Sequence, residues 1–277
     1  MTVALVTDSN SQLPVVLRDR YAVTVVPIPV VVNGSEYLEG VDLDADAFYE
    51  LFADGTPEVT TSQPSPGAFV LAYQAAMAAG HDEIISIHVT DSMSGTLNSA
   101  RIAADMVDAL VHLVDSRTAS FGISCCVWRA GDVLAEGGSA SDAVTAVETV
   151  AANLHSVTVL GAADLLKRSG RVDIDETEDG AEDGVHVYRA GPDGSFDSVG
   201  QGTTDTDVTN LMAATMHRNG EPIRIALGIA DQSAMPYYES LEQLLQARND
   251  VIEIVRYRIG PSVGAFTGLG CAGGFWW

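Results

Sequence analysis

The stretch EIISIHVTDSMSGTLNSA (83–100) decides how this chain folds. Residues 83–89 form an apolar run of strand length, and from Thr96 onward Leu97, Ala100, Ala104 and Val107 recur at helical spacing, with Ile102 and Met106 beside them. Between strand and helix lies the polar turn VTDSMSG. The same VTDS stands at 6–9 after VALVT (3–7), and VDS at 114–116 closes VHLV (111–114). Three apolar runs that leave through Asp-Ser, alternating with helix-like stretches, predict a parallel sheet with helices on both faces.

Working outward, the run 22–32 reads as one further strand and NGSEY (33–37) as the turn after it. Helical stretches are expected at 44–53, 66–80, 96–109, 117–135 and 141–154. Beyond them the pattern changes. Strand candidates at 157–163, 184–190, 222–230 and 251–260 and helices at 205–218 and 235–248 predict a second domain. The expected fold is thus α/β: an N-terminal three-layer domain with a parallel sheet (1–155), then a two-layer α/β domain with a mixed sheet (156–277).

Composition bounds the function. Of 277 residues, 47% are hydrophobic and 19% charged, which is the balance of a globular chain. The net charge is −24 and Lys167 is the single lysine, so the surface repels nucleic acid and anionic headgroups. The greasiest stretch, 21–32, is short and holds two prolines, so no stable membrane insertion is expected. No basic segment precedes the first apolar run, and a cytoplasmic location is expected. Cys125, Cys126 and Cys271 have no metal spacing and read as buried thiols.

Chemistry is expected where the turns meet the helices. Ser94, Gly95 and Thr96 fall at a helix N-terminus, where free N–H groups, the helix dipole, two hydroxyls and a glycine suit an anion. The competing expectation is that Ser94 or Thr96 only caps the helix. TTSQPS (60–65) leads into another helix. Ser65 before Pro66 reads as its cap, which leaves Thr61, Ser62 and Gln63 as an unexplained polar cluster. Together the two segments could hold the two oxygens of one carboxylate. Aspartates near such a site would repel its ligand, so Asp91 and Asp115 are expected to serve turns, while Asp8 and Ser9 stay candidates for the pocket.

Other matches fail. GLGCAG (268–273) has only four residues after it, so no helix opens there and no dinucleotide is expected. DIDETEDGAEDG (173–184) fits a calcium loop in neither register. The six histidines show no metal spacing, so neither metal nor cofactor is expected. A serine hydrolase using Ser94 is the rival reading, without a G-x-S-x-G elbow or an assignable base.

Seven stretches in this order resemble the DegV family of bacterial fatty-acid-binding proteins. They are VTDSNSQLP (6–14), VPIPV with its turn (26–34), TSQPSPGAF (61–69), SMSGTLNSA (92–100), VDSRTASFGIS (114–124), LLKRSGRV (165–172) and IGPSVGAFTGLG (259–270). The resemblance implies a non-catalytic carrier that buries a long-chain fatty acid such as palmitate in a tunnel between its domains. The carboxylate would be held by Thr61 or Ser62 and by Ser94, with Gly95 and Thr96 nearby. The pocket-lining candidates are Asp8, Ser9, Ile28, Leu97, Leu166, Arg171 and Phe266. The implied partner is a separate fatty acid kinase subunit. Two departures bear on that partner: Phe266 stands where the family usually has histidine, and SVGQGTTDTDVTNLM (198–212) lacks the family's basic stretch.

Overall fold

The computed structural model describes residues 3–162, 170, 173–174, 184–191 and 195–277. They form two compact units, Met1–Asp44 with Pro57–Asn153 and Ala45–Thr56 with Leu154–Trp277.

In the first unit, β1 (Val3–Asp8), β2 (Thr24–Val26), β6 (Glu83–His88) and β7 (Leu110–Asp115) form a parallel sheet in the order β2-β1-β6-β7. β6 is buried from Ile84 to His88, as a strand covered on both faces requires. On one face α3 (Pro66–Ala78) and α4 (Thr96–Ala104) enclose Val6, Val26, Phe69, Tyr73, Ile84 and Ala100. On the other, α5 (Phe121–Ala135) and α6 (Ala140–Asn153) pack against β1, β6 and β7. All three cysteines are buried and free, the reading their spacing predicts.

The run 22–32 is not one strand. It divides into β2 and β3 (Pro29–Val32), which belong to different sheets. Pro27 and Pro29 lack N–H groups and hold the residues before them extended, so the ladder breaks at Ile28. Pro29 then takes the first place of β3, where a strand tolerates proline. β3 pairs with β4 (Ser35–Leu38) and β5 (Val59–Thr61). The β3–β4 turn is Asn33-Gly34, both at positive φ (48° and 83°), the geometry that favours Asn-Gly in tight hairpins.

The second unit carries a mixed sheet in the order β13-β12-β14-β8-β10-β11-β9. Its strands are β8 (His155–Val159), β9 (Asp173–Ile174), β10 (Val185–Ala190), β11 (Ser195–Gly202), β12 (Ile223–Ile229), β13 (Val251–Arg258) and β14 (Ala272–Trp276). Helices α7 (Asp205–Thr215) and α8 (Met235–Gln246) cover a core built on Val157, Val208, Met212, Ile225, Leu227, Leu241 and Trp276. The segment expected as a helix at 44–53 is α2 (Ala45–Glu50) followed by a 3-10 turn, and it belongs to this unit although it precedes most of the first. Asp46 meets Arg258 at 2.7 Å, and Phe48 and Tyr49 crowd Gly264 in α9 (Pro261–Thr267).

α5 supplies a direct test of packing in the first unit. A Cβ on Gly131 would stand 2.4 Å from the ring of Tyr21, whose hydroxyl donates to Asp132 at 2.6 Å. Gly131→Ala is expected to destabilise the chain by about 1–3 kcal/mol in urea unfolding. An unchanged midpoint would mean that this ring is free to move aside.

Candidate functional site

Because β1, β6 and β7 are parallel, the segments that follow them collect at one edge of the sheet. Asp8 ends β1 with no exposed surface. Its Oδ1 accepts the Asn10 N–H at 3.0 Å, and its Oδ2 accepts the Val89 N–H at 3.2 Å and faces His88 Nδ1 at 2.9 Å. His88 Nε2 lies 2.6 Å from Ser86 Oγ, which lies 2.9 Å from the Tyr73 hydroxyl. All four side chains are buried. Burial pushes the Tyr73 hydroxyl up to about 12, so it remains a donor. With the imidazole proton on Nδ1, the chain runs Tyr73 to Ser86 to His88 to Asp8 and leaves no group unpaired.

Ser9 is committed as well. Its hydroxyl donates to Glu39 at 2.5 Å and accepts the Ile28 N–H at 2.9 Å, and Gln12 Nε2 reaches the other Glu39 oxygen at 3.3 Å. Asp8 and Ser9, expected among the lining residues, therefore hold the end of β1 in place. Ile28 and Leu97, the apolar lining candidates of this region, are 5% and 4% exposed.

The segment after β6 is suspended from this anchor. Thr90 donates its N–H to the Thr118 carbonyl and accepts the Met93 and Ser94 N–H groups at 3.2 Å each. Asp115 accepts the Arg117 N–H at 2.7 Å and the Asp91 N–H at 3.5 Å, the turn role expected of it. The residue at the N-cap of α4 is Gly95, and no side chain caps the helix. Ser94 Oγ, partly exposed, sits 2.8 Å from Thr96 Oγ1 and accepts the Thr96 N–H at 3.3 Å. Thr96 has no exposed surface, so its hydroxyl orients Ser94 and does not itself face the solvent.

The second hydroxyl segment follows β5. Thr61 pairs with Val30, Ser62 donates its N–H to the Pro29 carbonyl at 3.1 Å, and the Ser62 side chain is exposed. Ser65 caps α3, accepting the Ala68 N–H at 3.2 Å, as its place before Pro66 predicts. Between them Gln63 reaches across to α4, with Nε2 3.5 Å from Ser99 Oγ. The segments at 61–63 and 94–99 are thus brought side by side within one unit.

Elsewhere, Phe266 joins an apolar cluster with Leu160, Tyr188 and Phe196 on the second unit. Leu166 and Arg171 lie outside the described residues, as does most of the stretch resembling a calcium loop. Among the described residues no His, Cys, Asp and Glu side chains group as a metal site, and no helix is long and apolar enough to cross a membrane. Among them also no imidazole contacts Ser94. The Asp8–His88–Ser86 series has the order of a catalytic triad, but all three side chains lie in the core with no exposed surface. Metal spacing among the histidines gives no sign of His88. Its position at the end of an apolar strand, one residue before VTDS, was the available signal.

Comparison with known proteins finds matches over nearly the full length of the chain. Residues 2–277 match the model of a family described as an uncharacterised protein family, DegV. A DegV domain-containing protein of Staphylococcus aureus is 28% identical over 273 residues, covering 97% of this chain and 96% of its own. A DegV family protein from Thermus thermophilus, described for its fatty acid binding, superposes with a TM-score of 0.90 at 26% identity, covering 100% of this chain and 99% of that one. The Bacillus subtilis DegV structure superposes with a TM-score of 0.84 at 24% identity, covering 100% of this chain and 99% of that one, and shares the fold.

The buried series predicts an asymmetric mutational response. Asp8→Ala strands His88 Nδ1 and the Val89 N–H in the core and should cost about 2–4 kcal/mol, whereas Ser86→Ala should cost about 1 kcal/mol. Equal effects in chemical denaturation would contradict the assigned order of donors and acceptors.

Proposed function

The chain belongs to the DegV family, and from that premise we propose that it binds one long-chain fatty acid such as palmitate and acts as a carrier. The observation that carries this reading is the juxtaposition of two hydroxyl-bearing segments, 61–63 and 94–99, beside the first turn of α4. The carboxylate accepts hydrogen bonds from Ser94 and from Thr61 or Ser62, with the N–H groups at the start of α4 adding to the field. Thr96 acts through Ser94. The acyl chain occupies the apolar tunnel that the family resemblance implies. Burying about a dozen methylenes at ~0.8 kcal/mol each yields roughly 10 kcal/mol before ordering costs, so the chain supplies affinity and the head supplies orientation.

The fatty acid binding described for the Thermus thermophilus relative supports this reading. Hand-off to a separate kinase is a further step, and the composition of the second unit does not favour it. Phe266 offers no hydrogen bond to a headgroup, and residues 198–212 hold no cation. Phe266→His is the informative substitution. If it confers acyl-phosphate formation with a fatty acid kinase subunit, the missing imidazole is the limiting group; no turnover leaves storage or transport as the role.

Denaturing extraction and mass spectrometry of the purified chain should find one long-chain fatty acid per molecule. Ser94→Ala should weaken palmitate binding by about 1–2 kcal/mol, one hydrogen bond to a charged group being lost. Lipid-free protein without affinity for palmitate would refute the proposal.

A further inference from the structure

Gly95 poses a question that its backbone does not answer. Its φ is −72°, a value any residue adopts, so no left-handed conformation demands glycine. The space its missing Cβ would take is filled by Gln63. A Cβ there would lie 1.9 Å from Gln63 Oε1, 2.6 Å from Cδ and 3.0 Å from Nε2. The whole carboxamide is therefore laid against the first turn of α4. Its Nε2 continues along the helix to Ser99 Oγ at 3.5 Å, and Ser99 is the residue whose N–H closes the first turn onto the Gly95 carbonyl at 3.0 Å.

We propose that Gln63 is a positioning residue: its carboxamide, seated on Gly95 and Ser99, latches the 61–63 segment to the start of α4 and so sets the spacing of the two hydroxyl groups that receive the carboxylate. The glycine serves the glutamine and not the ligand. This rests on the fatty acid reading above and deepens it. Ser62 and Ser94 sit on separate backbone segments, one following an antiparallel strand and the other a parallel one, and among the described residues no backbone hydrogen bond joins the two. A head held at two points needs both at a fixed distance before the ligand arrives. Pro64 follows Gln63 directly and restricts its backbone to extended conformations, which helps to hold the side chain toward α4.

The latch predicts a coupling that independent residues would not show. Gln63→Ala should weaken palmitate binding about tenfold and hexadecanol binding much less, since an alcohol head needs only one of the two hydroxyl contacts. Gly95→Ala displaces the carboxamide and should produce a similar loss. In the double variant, Gln63→Ala with Gly95→Ala, the loss should be no greater than for Gln63→Ala alone, because the added methyl then meets no carboxamide. Calorimetric titration of the four proteins with palmitate and hexadecanol, with urea unfolding of the same four without ligand, reads both sides. Multiplied losses in the double variant, equal losses for acid and alcohol, or palmitate affinity unmoved by Gln63→Ala would each overturn the latch while leaving the carrier reading in place. Absence of palmitate binding by the unsubstituted chain would overturn both, with the unfolding cycle still reporting whether residues 63 and 95 are coupled.

Discussion

Everything at the sheet edge depends on one buried contact, the Asp8 carboxylate against His88. A carboxylate with no exposed surface is tolerated only if its oxygens are occupied, and here two backbone N–H groups and an imidazole occupy them. The contact ties the end of β1 to the end of β6 and fixes the backbone at Val89. From that point hangs the turn that delivers Ser94. The polar interior thereby positions the turn that carries the Ser94 hydroxyl.

The charge of the site follows the same division. In a chain of net charge −24, an anion needs a place shielded from carboxylates. Asp8 and Asp115 stand near that edge, yet each is turned to backbone N–H groups, and Asp8 also to His88. In the segments 61–63 and 94–96, Ser62 is exposed and Ser94 partly so beside the start of α4, while Asp91 and Arg117 stand exposed in the neighbouring turns.

Much of this was legible in the sequence, and the failures have physical causes. The repeated Asp-Ser after apolar runs identified the parallel sheet because a strand buried on both faces is apolar throughout. The same logic misread 22–32 as one strand, since apolar character cannot show that Pro27 and Pro29 divide it between two sheets. β14 escaped because its residues include Gly273 and Gly274, where neighbouring backbone passes too close for side chains and no alternation can be read. At the site, SGT and TSQPS were readable as hydroxyl-rich helix starts, but Asp8, Ser9 and Thr96 are all turned inward, and the facing direction of a side chain is a tertiary fact. At Gly95 the sequence cannot show that the Gln63 carboxamide, thirty-two positions earlier in the chain, lies against the glycine.

The measurement that bears most directly on this account is the crystal structure of the chain saturated with palmitate. The carboxylate should lie within hydrogen-bonding distance of Ser94 Oγ and of the hydroxyl of Thr61 or Ser62, with Gln63 still seated on Gly95. A carboxylate bound elsewhere, with Ser94 bonded only to Thr96, would contradict it.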